Sequence, residues 1–506
     1  MLTIAQFLRI PSLLFVAGTL TGQPVTVAGG VVAGERIADG GVAVYRGIPF
    51  ARPPVDSLRW RAPQPPLPWE GVRACTTFSA SPMQSDPAPF RMWSEEFLIP
   101  SEPISEDCLY LNVWAEADAP SRPVLVWIYG GGFSSGGSAV PIYDGEAVAR
   151  QGVVFVSFNY RVGPFGYLAH PALSAESGQG SSGNYGLLDQ IAALEWVRDN
   201  IAAFGGDPGR VTIAGQSAGA ASVSELMASP LAAGLFHRAI AQSGADMGRS
   251  ASDLAAAEAQ GAEVARRLGS DDLEQLRALP ADTVLARTNV RFRPIVDGYA
   301  LPRPVGERLR AAPAPVDVLT GWNQDEGFPL GEAGNAADYR ALVARTYGAE
   351  FLKYYPGGSD DEARASLLDA GRDVVFGAQN YALAEAQTAA PGRRVYVYRF
   401  TRRLPSAGPE QDFGAFHTGE VPYSLGNLDA VDRPWTPTDR QLSDRMLRYW
   451  CNFVKSGNPN AVGLPLWPEY GDSDRTIMLL GDTVRAATLP DAERLDYVDD
   501  LLQQDR

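Results

Sequence analysis

The sequence predicts an α/β fold: a mostly parallel central sheet with helices on both faces and helical insertions. Three observations carry that expectation. Residues 124–129 (VLVWIY) and 153–158 (VVFVSF) are unbroken β-branched and aromatic runs, the pattern of strands buried on both sides. Strand patterns then alternate with helical ones along the chain, as in folds whose parallel strands are joined by crossover helices. Finally, a chain of 506 residues, 45% of them hydrophobic, has the apolar content for a large core, and at this size about three quarters of the unfolded surface is removed from water.

Taken in order, residues 1–22 read as a leader. The apolar stretch 10–20 follows Arg9 but is too short, and too interrupted by Pro11 and Gly18, to span a membrane. A secreted or periplasmic location follows if it is a signal peptide, and a cytoplasmic one if it is not. Residues 23–506 are expected to form one domain, since no repeat and no Gly/Ser/Pro-rich linker divides them. The segment after Pro24 alternates apolar and polar residues around Gly pairs, the pattern of short antiparallel strands.

Residues 185–204 place Leu187, Ile191, Leu194 and Ile201 at helical spacing and stop at Gly205-Gly206-Asp207-Pro208. A strand at 211–214 and a helix from Ala218 come next, with further strands at 316–319 and 395–400. Ala-rich, charged helical stretches at 252–268 and 336–377 read as insertions. The helix 439–455 carries Leu442, Met446, Trp450 and Val454 on one stripe, which is core packing, and ends at Gly457.

Composition excludes several function classes. With 59 acidic against 43 basic residues the net charge is -16, and nucleic-acid binding needs the clustered Lys and Arg that this chain lacks. No window beyond the leader is apolar enough to span a bilayer. Three cysteines and three histidines are scattered without metal-ligand spacing, so no metal is expected. A Rossmann reading of Gly130-Gly131-Gly132 fails because the sixth position from Gly130 is Ser135.

Residues 215–219 (GQSAG) match the nucleophile elbow G-x-S-x-G, and the context fits: strand VTIA before, helix AGAASVSELM after. A serine hydroxyl attacks at neutral pH only if a base removes its proton and an acid fixes that base. In α/β-hydrolases the order is Ser, acid, His, so the base must follow Ser217. His170 precedes it. His237 lies only twenty residues on, where a helix is expected to run into a strand, leaving no room for an acid-bearing strand between. His417, on a Gly-containing loop after 395–400, remains. Asp325 and Glu326 follow the strand 316–319, and spacing does not choose between them. Gly130-Gly131-Gly132-Phe133 after VLVWIY supplies unobstructed backbone N–H groups for an oxyanion.

These residues sit in longer blocks: YRGIPFARPP, SEDCLYLNVW, VWIYGGGF, NYRVGPFGYL, GNYGLLDQIAALEWVRDNIAAFGGDPGRVTIAGQSAGA, LFHRAIAQSGA, NQDEGF, FHTGEVPYSLGNL and YWCNFVKSGNPN. Through them nearly the whole chain after the leader resembles the type B carboxylesterase/lipase family, which includes para-nitrobenzyl esterase-like enzymes and cholinesterases. The resemblance implies an α/β-hydrolase fold and a cofactor-independent serine hydrolase of small-molecule carboxylic esters. Position by position, it implies Ser217 as nucleophile, Glu326 as acid, His417 as base, and Gly131, Gly132 and Ala218 as oxyanion donors.

Gln216 stands where cholinesterases carry Glu, which argues against choline esters. Cys108 matches a cysteine that forms a disulfide in many secreted members, but Pro82 occupies the usual partner position and Cys75 is displaced from it. Phe133, Phe328 and Phe416 adjoin the site and, with Gln216, are expected to line an apolar or aromatic pocket, with Trp93 or Trp322 at its entrance. The other reading of this fold, a silent neuroligin-like binding protein, calls for a broken triad, whereas all three members are present. Amide or carbamate cleavage would use the same residues, and the natural ester and the oligomeric state have no signature in the sequence.

Overall fold

Eleven strands form the central sheet of the computed structural model, which describes residues 22–37, 41–116, 120–248, 252–406, 408, 412–471 and 474–504. They are β1 (Glu35–Arg36), β2 (Val42–Pro49), β3 (Tyr110–Glu116), β4 (Arg122–Ile128), β5 (Val154–Phe158), β6 (Gly206–Gln216), β7 (Arg238–Gln242), β8 (Asp317–Asn323), β9 (Val395–Phe400), β10 (Thr476–Leu480) and β11 (Arg485–Thr488). Across the sheet they run β1-β2-β3-β5-β4-β6-β7-β8-β9-β10-β11. The block from β5 to β10 is parallel, while β1 to β3 at one edge and β11 at the other are antiparallel. All of the leader except its last residue falls outside the described residues. Among the described residues no helix is long and apolar enough to cross a membrane.

Every residue of β5, β8 and β9 is buried, as expected for strands covered on both faces. The strand expected at 395–400 is β9, bound for bound. That expected at 316–319 is the first half of β8, which continues through Gly321-Trp322-Asn323 because pairing with β9 outweighs the weak strand preference of Gly and Asn. Near the amino terminus, Val25–Val27 and Gly30–Ala33 pair antiparallel as anticipated.

Seven helices matter for the site and the core: α1 (Tyr185–Asn200), α2 (Ala218–Ala228), α3 (Leu254–Leu268), α4 (Ala336–Thr346), α5 (Asp360–Arg372), α6 (Ala378–Thr388) and α7 (Pro437–Ser456). The chain past α1 winds as a 3-10 turn to Gly205, whose φ of 80° stops it. No helix runs into β7 as the sequence suggested. The chain leaves α2 at Ala228, because Ser229 precedes Pro230 and is pushed to extended backbone, and His237 lies in the following loop.

One contiguous core extends from Val27 to Val484. Sheet order reverses between β4 and β6, the chain having passed through β5 on the far side, and a crevice at the carboxyl ends of the strands is expected at such a switch. The stripe on α7 docks here: Trp450 is 1% exposed, meets Tyr398 of β9 and Trp467 edge-on or tilted, and donates its Nε1 to Gln242 Oε1 at 2.9 Å. Trp450→Ala is expected to cost about 3–5 kcal/mol, measured in urea titration as a lowered midpoint with an unchanged slope.

Candidate active site

The loops at the carboxyl ends of β4, β6, β8 and β9 converge. Ser217 is the first residue after β6, and its φ of 59° and ψ of -125° lie where a side chain is strained. The turn is held from three sides. Ser217 N donates to Gln242 O at the end of β7, while Ser217 O accepts from Ala220 N and Ala221 N. A Cβ on Gly219 would sit 2.1 Å from Ile128 O, and one on Gly215 would sit 2.4 Å from Gly219 O. These contacts explain the two glycines of G-x-S-x-G.

The loop after β4 carries Gly131 and Gly132 at φ of 119° and 64°. Gln84 clamps it, its Nε2 donating to Gly136 O and its Oε1 accepting from Gly136 N, both at 2.8 Å. Gly131, Gly132 and the first residue of α2, Ala218, line the same open cavity as Ser217 and His417.

His417 and Glu326 form a buried pair. Nδ1 lies 2.8 Å from Glu326 Oε2, and Glu326 Oε1 accepts from Asn323 N at 2.7 Å. With the Nδ1 proton donated to the carboxylate, Nε2 is left as the basic nitrogen. Phe376 stacks on the imidazole with centroids 4.2 Å apart, and Phe328 and Trp93 meet it edge-on at 5.9 and 6.3 Å. The Gln216 amide is 3.3 Å from both ring nitrogens; Thr418 Oγ1 donates to Gln216 Oε1 and accepts from Trp93 Nε1.

Asp325, the alternative acid, faces elsewhere. Its Oδ2 accepts from Ala415 N at 2.8 Å and its own N–H donates to Ala415 O, so it ties the loop after β8 to the loop bearing His417. The other two histidines serve the backbone: His170 Nδ1 accepts from Ala172 N and His237 Nδ1 from Val211 N.

The cavity measures about 970 Å³. Phe133, Gln216, Phe328 and Trp93 line it as the sequence suggested. Phe416 does not: its ring is buried between Phe97 and Phe413 beneath Arg433. Trp322 also departs, being fully buried with its indole under Arg399. Both insertions help to wall the cavity, through Ala257 and Gln260 of α3 and through Val375 and Phe376.

Several residues of the site escaped the sequence reading. Phe376 lies on a π turn, Asp373–Gly377, between α5 and α6, where Asp373 is held by Arg372, Arg494 and the Tyr355 hydroxyl. No periodicity marks such a turn. Glu420 is fully buried three residues after His417, accepting from Asn323 Nδ2 and Gln242 Nε2. A carboxylate three residues after the histidine, in the stretch FHTGEVPYSL that holds no other Asp, Glu, Lys or Arg, was the available signal. Cys75, Cys108 and Cys451 are buried free thiols, so Cys75 and Cys108 are not bridged.

A family model described as the carboxylesterase family matches residues 21–498. The fumonisin B1 esterase of Sphingopyxis macrogoltabida is 38% identical over 479 residues, spanning 88% of this chain and 84% of that protein. The para-nitrobenzyl esterase of Bacillus subtilis (strain 168) is 35% identical, with 94% of this chain and 98% of that protein covered. A solved structure of a PNB esterase superposes with a TM-score of 0.83 at 32% identity, covering 94% of this chain and 99% of that one.

The geometry around Glu420 sets a pH dependence of stability. Burial, and then the nearby Glu326 carboxylate, push its pKa from 4.5 up to about 7. The folded state therefore keeps a proton that the unfolded chain releases. The contribution is fully present below about pH 4.5 and is lost as pH rises to and through 7. Glu420→Gln removes this dependence. Relative to wild type, the variant is expected to gain up to about 3 kcal/mol between pH 4.5 and 8, read by urea unfolding at a series of pH values.

Proposed function

The chain belongs to the carboxylesterase family, and we propose that Ser217, His417 and Glu326 are the nucleophile, base and acid of its reaction. The protein is a serine hydrolase that cleaves carboxylic esters of small molecules. The observation that carries the residue assignment is the buried His417–Glu326 pair, 2.8 Å long, on the same cavity as a serine held at positive φ.

In this reading Ser217 Oγ attacks the ester carbonyl while His417 Nε2 takes its proton. Glu326, fixed by Asn323 N, holds the imidazole in the productive tautomer and offsets the charge it gains. The developing oxyanion accepts from the N–H groups of Gly131, Gly132 and Ala218, residues that line the same cavity as Ser217. Collapse expels the alkoxide, to which His417 returns the proton. Water, deprotonated by the same nitrogen, then adds to the acyl-enzyme and frees Ser217.

For substrate, a cavity of about 970 Å³ with an aromatic wall of Trp93, Phe133 and Phe328 supports esters larger than simple acetates. Treating residues 23–506 as one domain is supported by the largest apolar core, which draws residues from Val27 to Val484. Secretion or export to a periplasm rests on the sequence of the leader.

Ser217→Ala is expected to lower hydrolysis of p-nitrophenyl acetate by at least about ten-thousand-fold, and a fluorophosphonate should add its mass to the peptide bearing Ser217 in the wild type alone. Glu326→Gln should lower kcat by on the order of a thousand-fold or more. Undiminished turnover in the Ser217 variant would sink the assignment.

A further inference from the structure

Groups outside the triad close both faces of the His417 imidazole. Glu326 holds one edge of the ring, at Nδ1. Phe376 lies flat against one face, with centroids 4.2 Å apart and planes 19° from parallel. Gln216 Nε2 is 3.3 Å from both ring nitrogens. In the plane of the ring, a point that near to both nitrogens would overlap Cε1, so the amide sits over a face. Phe376 leaves it only the opposite one. The imidazole is therefore held between a benzene ring and an amide.

Phe376 reaches that face from the π turn Asp373–Gly377. Each α-helical residue is rotated by roughly 100° from the one before, so a wider turn re-aims every side chain after it, and such turns recur at functional sites. This one is firmly braced. Asp373 is fully buried, paired with Arg372 and Arg494, and accepts from the Tyr355 hydroxyl. Arg372 also donates Nη1 to Gln324 O at 3.1 Å, on the loop that leads to Glu326. α5 lies directly on that loop: a Cβ on Gly371 would stand 1.8 Å from Phe328 O, and one on Gly327 would stand 2.1 Å from Leu368 O. One packed unit thus sets both the carboxylate at the edge of the imidazole and the ring on its face.

A flat aromatic partner does more than fill space. As Ser217 attacks, the imidazole gains a proton and a positive charge, and the π face of Phe376 attracts a cation more strongly than a neutral ring. The stack therefore tightens as the transition state forms, which is the condition for a contact to raise turnover. Acylation and deacylation both load the ring with a proton, so both steps gain.

We propose that Phe376 is a positioning residue of the base: it keeps the imidazole in line with Glu326 and Ser217 and stabilises the charge that the ring gains. This rests on His417 being the base.

The test replaces Phe376 by Leu and by Met, which are apolar without a π face, and by Tyr, which keeps one. Rates are normalised to Ser217 sites titrated to completion with a fluorophosphonate, so that a misfolded fraction does not count. On p-nitrophenyl acetate, butyrate and octanoate, Phe376→Leu and Phe376→Met are expected to lower kcat about five- to thirtyfold, alike for all three esters. KM should change by less than about threefold, and Phe376→Tyr should stay within about threefold of wild type in kcat. A ring-trifluorinated phenylalanine installed at Phe376, which keeps the shape of the stack but weakens its π face, should fall between wild type and Phe376→Leu. A kcat loss below about fivefold in both Phe376→Leu and Phe376→Met, an equal loss in Phe376→Tyr, full activity of the fluorinated protein, or a loss that lies in KM and grows with acyl length would each overturn the proposal. Abolished hydrolysis in His417→Ala would keep the base assignment standing in all those cases, whereas hydrolysis retained in His417→Ala would remove the premise itself.

Discussion

The backbone of Ser217 is the constraint on which the rest of the molecule is arranged. A non-glycine residue at a φ of 59° persists only where the surroundings over-determine it. Here the surroundings are the ends of three parallel strands: β4 presents Ile128 O against Gly219, β6 delivers the serine, and β7 accepts its N–H through Gln242 O. The large parallel sheet is therefore the brace that keeps one serine strained.

The buried charges beneath the site show how that brace reaches into the core. Asn323, the last residue of β8, gives its N–H to Glu326 and its amide to Glu420 and to Phe416 O. Gln242, the last residue of β7, holds Ser217 N through its backbone and Glu420 and Trp450 through its side chain. Two strand-end amides thus connect the serine, the carboxylate facing His417 and the stripe of α7. An unpaired member of such a network is costly, and most members of this one are paired. Asn323 Oδ1 is the exception, sealed without a partner.

Legibility in the sequence followed the range of the interactions involved. The elbow was readable because its motif lies within five residues, and His417 because only three histidines exist and chain order and chain distance remove the others. Asp325 and Glu326 could not be separated by spacing, since neighbours on a tight loop take different partners, one Ala415 N and one His417. Phe416 failed for the same reason: adjacency to His417 in the chain directs its ring into the core. Trp322 was misread because β8 runs four residues further than its pattern suggested, which buries the indole. Phe376 depends on a π turn held by Asp373, more than forty residues from His417, and a single sequence carries no trace of that contact.

Chemistry and selectivity are consequently built from different parts of the chain. The reacting groups stand on strand ends, where displacement is opposed by the whole sheet. The cavity wall comes instead from α2 beyond its first turn and from the two insertions, α3 and the turn after α5. Substitutions there alter what fits without loosening the elbow, because none of those residues braces Ser217. Glu225 sits at the junction of the two systems: it is on the helix that begins at the nucleophile, but eight residues on, where the brace has ended and the wall has begun. A carboxyl unmatched at that position contributes nothing to the strain that holds Ser217.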